Sequence, residues 1–176
     1  MAIFDEHTSA SLINQFLATF DKEGLQLHSV IVGYLSGIDK RRYNSLHEYD
    51  TISKAVQSKS KSSKVGYWIE GRTGKEVLRA AVQESHCNII ILLKDTKEVL
   101  IFNPWNKLLF EPKRIVDISS PYLTRKVIQK LKVPKSYSFY YVFGKQQDDK
   151  LCRHHCKEFL KSWTDWKSYR YIKLSK

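Results

Sequence analysis

Two apolar runs, CNIIILL (87–93) and EVLIFN (98–103), are separated only by Lys94-Asp95-Thr96-Lys97. Short β-branched runs joined by a polar turn read as a β-hairpin. A lone hairpin this apolar is unstable in water, so the rest of the chain must supply the elements that cover it.

Further strands are read at VGYWIE (65–70), with Gly71 and Gly74 marking the turn after it, and at SFYYVFG (138–144). Helical spacing of Leu12, Ile13, Phe16, Leu17 and Phe20 follows Ser9 and Ser11, either of which can cap, and Gly24 is the expected stop. Residues 75–84 look helical. Ser119 or Ser120 before Pro121 predicts a helix through YLTRKVIQKLK, ended by Pro134. A last helix is expected from about 149 to 162, with Cys152, Cys156, Phe159 and Trp163 on its apolar face. The pattern predicts an α+β fold, a central, mostly antiparallel sheet flanked by helices. One domain is expected over 1–176, with an exposed basic loop at 58–64 and a basic aromatic tail at 163–176.

Hydrophobic residues make up 42% of 176, enough to build a core and to exclude a disordered tail or a disulfide-stapled miniprotein. Three cysteines cannot all pair within one chain, which points to a reducing compartment. No apolar run approaches the length of a membrane span, and MAIFDEHTSASL lacks the basic and apolar regions of a signal peptide. The expectation is an intracellular protein that is not secreted and has no membrane partner. Charge is uneven: residues 113–176 carry 16 basic and 5 acidic side chains, the rest 14 and 13. Such asymmetry suggests a polyanion, nucleic acid first and anionic membrane second; a solvated lysine-rich surface is the plainer alternative. In the tail, Lys167, Arg170, Lys173 and Lys176 are the candidate phosphate contacts, while Trp163 and Trp166 are expected to pack.

The chemistry centres on Cys152. A thiol in the first turn of a helix feels the positive end of the macrodipole, which favours the nucleophilic thiolate. The unpaired N–H groups there can receive the oxyanion of a tetrahedral intermediate. His86, just before one hairpin strand, is the candidate base, and Asn103, closing the other, can accept from its imidazole and hold its tautomer. With Lys94 and Lys97 flanking a two-residue turn, the two fall within about a residue of facing each other. Gln146 could supply a second oxyanion donor, with Gln147 as its local competitor. A zinc reading of Cys152, His155 and Cys156 lacks a distant CxxC or HxxxH to complete it, so no metal is expected. Taken singly, Cys152 reads as a buried structural thiol.

HCNIIILLKDTKEVLIFNPW resembles the His…Glu-Pro-Phe segment of the adenovirus maturation protease, and its His-to-Asn103 spacing is shared with SUMO-type ubiquitin-like proteases. CRHHCKEFL (152–160) resembles the adenovirus nucleophile helix, second cysteine included. The Gln146-to-Cys152 spacing is that of the SUMO proteases. Weaker similarity reaches Tyr34-Leu35 and Asp39-Lys40-Arg41, so the resemblance covers roughly 30–162. Three positions depart from it. Arg153 stands where the family usually has Gly, Cys87 where it has Trp, and Asn103 where it has Glu or Asp.

The resemblance implies a papain-like cysteine protease domain of the adenain and ubiquitin-like-protease type, with Cys152, His86, Asn103 and Gln146 as its catalytic residues. It implies an endopeptidase that cuts viral capsid or core precursors at Gly-containing sites during virion maturation. That enzyme would act as a monomer in the virion and the host-cell interior, need no cofactor, and have DNA as an activator. The disulfide-linked peptide cofactor of the adenovirus enzyme has no matching cysteine near Val133-Pro134. Two other functions remain open: a deSUMOylase or deubiquitinase-like protease, and a catalytically inactive, basic nucleic-acid-binding module.

Overall fold

The computed structural model describes residues 3–5, 7–31, 62–72, 85–105, 112–115, 128–129, 131–146 and 151–176. Within them the elements are α1 (Ala10–Thr19), β1 (Gln26–Ile31), β2 (Lys64–Arg72), β3 (Ser85–Leu93), β4 (Glu98–Trp105), β5 (Ser138–Gln146), α2 (Cys152–Lys161), a 3-10 helix (Trp163–Ser168) and β6 (Tyr171–Leu174). The strands form one six-stranded sheet in chain order. Pairs β2–β3, β3–β4 and β5–β6 are antiparallel, whereas β1–β2 and β4–β5 are parallel. The fold is therefore α+β around a mixed sheet. A parallel pair needs a long crossover, and the chain spends its two longest connections, 32–63 and 106–137, on those two pairs.

The hairpin is the centre of the sheet because its residues are apolar on both faces. Cys87, Ile89, Ile91, Leu100 and Phe102 join α1 and α2 in one cluster, the rings of Phe102 and Phe159 stacking at 4.0 Å. Ile90, Val99 and Ile101 belong to the opposite face with Tyr141 and Phe143, covered by Ile128 and partly by Leu131 and Val133. The turn closes on the Leu93↔Glu98 pair, with Lys97 in the left-handed region at φ 55°. Gly144 marks a close approach of β5 to β4: a Cβ there would lie 2.1 Å from the Pro104 carbonyl oxygen. The register shifts at that point, between Asn103 and Trp105.

Several boundaries differ from the sequence reading. Ser9, and not Ser11, caps α1, its Oγ accepting from the Leu12 N–H at 3.2 Å. The helix ends where Phe20 turns extended, and Gly24, at φ +76°, serves the turn into β1 rather than the helix stop. Gly71 lies inside β2, which runs on to Arg72. Helix 75–84, Gly74 and most of the segments at 58–64 and 119–131 lie outside the described residues. The basic tail is built into the fold. Trp163 and Trp166 are buried, and β6 pairs with β5 while Ser175, just after it, bridges Arg114. Among the described residues no helix is long and apolar enough to cross a membrane.

Candidate active site at one end of the sheet

Strand directions bring the sequence candidates to one end of the sheet. Parallel β4 and β5 finish together, Trp105 pairing with Gln146, and antiparallel β3 starts at that same end. There α2 begins, with five residues between it and β5, and Cys152 is its first residue. Asn103, Gln146, position 86 and Cys152 therefore gather on three adjacent strands and the helix that follows them.

Cys152 is 7% exposed and belongs to the cluster on the α2 face. Leu151 at the helix cap has no side chain able to accept the first-turn N–H groups. Where the β3–β4 ladder stops at Ile89↔Phe102, the two helix cysteines meet the backbone of Cys87. The Cys87 N–H faces the Cys152 sulfur, and the Cys156 Sγ donates to the Cys87 carbonyl at 3.4 Å. Two thiols one helical turn apart thus serve a backbone group that the ladder leaves behind.

The protonation state differs from the sequence expectation. Burial pushes the Cys152 thiol up to about 12, with the Cys156 thiol and the Glu70 carboxylate acting in the same direction; the Cys87 N–H and Arg153 pull it down. Desolvation outweighs the helix terminus, so the resting thiol is neutral. Cys87, fully buried, is likewise pushed well above the ordinary thiol value, by desolvation first and Cys156 second.

Asn103 is 2% exposed, and its Nδ2 donates to the Tyr141 hydroxyl at 2.6 Å, on the face opposite α2. Its Oδ1 accepts from the Trp105 N–H at 3.2 Å. The hairpin register continues so that Asn103 would oppose Asn88, one step past the last pair. Position 86 lies two residues further along β3, where its backbone pairs with Gly71. His86 and Asn103 are therefore diagonal neighbours rather than direct partners. Cys152 approaches this end from the α2 face and Asn103 from the other, with the start of β3 between them. Gln146 is buried as the last residue of β5, and Gln147 lies outside the described residues.

The sequence reading missed the ion pair beside the thiol. Arg153, 6% exposed, donates through Nε to Glu70 on β2, itself 2% exposed. Its Nη1 donates to the carbonyls of Asp5 at 3.1 Å and Thr8 at 2.7 Å. The available signal was a lone Glu closing the apolar strand VGYWIE. Tyr141 was missed as well, since a tyrosine in an aromatic strand looks like packing alone.

The tail cations Lys167, Arg170, Lys173 and Lys176 are exposed. Arg170 lies 4.4 Å from the Phe143 ring centroid, Lys167 5.5 Å from that of Trp166. Tyr140, Trp166 and Tyr171 pack edge to face or tilted, with centroids 4.9 to 6.0 Å apart. Among the described residues there is no group of three or more His, Cys, Asp or Glu that could hold a metal ion. Comparison with protein-family models, curated proteins and solved structures finds no match to this chain.

Proposed function

We propose that this chain is a cysteine endopeptidase of the adenain type that processes capsid or core precursor proteins of a virus or virus-like element at Gly-containing sites. One observation carries the reading: Cys152 opens α2 at the end of the sheet where β3 starts, where Gln146 closes β5 and where Asn103 lies two residues before the end of β4. A papain-like arrangement needs those four positions at one end of the sheet.

In this mechanism His86 takes the proton from the neutral Cys152 thiol as the sulfur attacks the scissile carbonyl carbon. The Cys152 N–H and the Gln146 amide hold the oxyanion. Asn103 orients His86, which then protonates the leaving amine. Water deprotonated by His86 releases the acyl-enzyme. The raised thiol pKa makes the base obligatory, since no standing thiolate is present at neutral pH.

The test is cleavage of Gly-containing capsid-derived peptides, with and without DNA, alongside a folded SUMO-type modifier. Wild type should cut the peptides, while Cys152→Ala and His86→Ala should abolish cutting. Preference for the folded modifier would move the enzyme to the deSUMOylase branch. No cleavage of either would defeat the hydrolase reading. A neutral, buried thiol and exposed tail cations together favour the second reading, an inactive nucleic-acid-binding module. That reading expects salt-dependent DNA binding that survives Cys152→Ala and weakens when the tail cations are removed.

A further inference from the structure

Arg153 follows the candidate nucleophile directly, where the resembling family usually has Gly, and it is not a solvated side chain. Its guanidinium is anchored to Glu70 on β2 and to the carbonyls of Asp5 and Thr8 ahead of α1. Glu70 is the register partner of Cys87, the residue whose backbone meets both Cys152 and Cys156. The anchor of Arg153 and the seat of the Cys152 thiol are therefore the same rung of the β2–β3 ladder. One turn further along α2, the Lys157 ammonium lies 4.4 Å from the ring centroid of Phe4, so the N-terminal segment is held twice by the same helix face.

We propose that Arg153 and Glu70 act together as positioning residues for Cys152, fixing its place against Cys87 and setting the charge that its sulfur feels, with the N-terminal segment as part of that assembly. This rests on reading Cys152 as the nucleophile. Arg153 and Cys152 are consecutive in one helical turn, so a clamped guanidinium restricts how that turn can tilt. The ionisable groups acting on the sulfur are Glu70 from β2, Cys156 and Arg153 from its own helix, and Cys87 from β3. Asp5 and His7 lie on the N-terminal segment and Lys157 one turn along α2, with His86 next to Cys87 in the chain. Glu70 opposes the thiolate and Arg153 favours it. Paired, the two charges act in opposite directions on the sulfur, and desolvation keeps the thiol protonated; a shift that parts them leaves Arg153 to stabilise the thiolate.

The experiment is the pH dependence of iodoacetamide labelling at Cys152, read by peptide mass spectrometry on the full chain, with circular dichroism to confirm folding. Glu70→Gln should reach a set labelling rate at a pH lower than wild type by about one unit or more, and Arg153→Met at a higher one. A pair that only packs would loosen the site in both variants and shift labelling the same way. Same-direction shifts, or no shift in either, would overturn the proposal. Should Arg153→Met fail to fold, Arg153→Lys decides. It keeps the charge but loses the fork, so the labelling pH should hold while any peptide cleavage slows several-fold; a labelling pH that moves as far as in Glu70→Gln would overturn the assignment. Labelling reads the thiol without a substrate. Opposed shifts in a chain that cuts no peptide would therefore defeat the hydrolase reading and leave the charge-setting pair intact.

Discussion

The Asn103 side-chain amide donates to the Tyr141 hydroxyl at 2.6 Å across the parallel β4–β5 pair, both residues being buried. Removing that hydroxyl as Tyr141→Phe leaves a buried amide N–H short of its acceptor, which costs about 1–3 kcal/mol. Urea denaturation should read the loss. Because Asn103 also accepts from the Trp105 N–H, its rotation would disturb the end of β4, and any peptide cleavage should fall with it.

The Glu70–Arg153 pair makes an asymmetric prediction for stability. Glu70→Met or Arg153→Met alone leaves one uncompensated charge in a closed site, at a cost of about 3–5 kcal/mol. The double replacement Glu70→Met with Arg153→Met should recover most of that cost, because it removes both charges and fills the space. A double-mutant cycle in guanidinium chloride measures the coupling. Simple addition of the two losses would mean that the pair is not coupled.

Alkaline pH should destabilise the fold. Cys152 is raised from 9.0 to about 12, and burial raises Tyr141 from 10.0 to about 12 despite the Asn103 hydrogen bond. Between those limits the unfolded chain releases protons that the folded chain retains, so unfolding becomes easier as pH rises. The stabilisation is intact below about pH 9 and is lost progressively up to about 12. Melting temperatures from pH 8 to 11 should fall, and the slope should be shallower in Cys152→Ala.

Gly144 permits the β4–β5 approach. An alanine Cβ would sit 2.1 Å from the Pro104 carbonyl oxygen, so backbone must move rather than a side-chain tip. Gly144→Ala should cost about 1–3 kcal/mol or more. It should also change the fluorescence of Trp105, which is 49% exposed and paired with Gln146. An unchanged melting temperature would contradict the close approach.

Much of the fold was legible in the local pattern. The hairpin, the strands at 65–70 and 138–144, the first helix and the nucleophile helix stand where β-branched runs and helical spacing put them, because those signals span only a few neighbouring residues. The α+β class follows from the same signals, whereas spacing left the packing of Trp163 and Trp166 open and their burial in the fold decides it. Less legible were element ends. Gly24 was read as a helix stop when it serves the turn two residues before β1 starts, and Gly71 as a turn when its strand continues.

Sequence by itself thus determined the hairpin and its register, the strands at 65–70 and 138–144, the first helix, the nucleophile helix and the order of His86, Asn103, Gln146 and Cys152 along the chain; β1 and β6, which the sequence reading missed, were not among them. Tertiary structure decided which strands run parallel, and so which ends of β3, β4, β5 and α2 share one edge of the sheet. It also decided the state of Cys152. A helix start favours the thiolate in any chain, but the depth of burial and the placement of Glu70, eighty-odd residues upstream, are properties of the packed molecule. Local propensity acts through neighbours in sequence. Desolvation and charge pairing act through neighbours in space, and only folding brings those together.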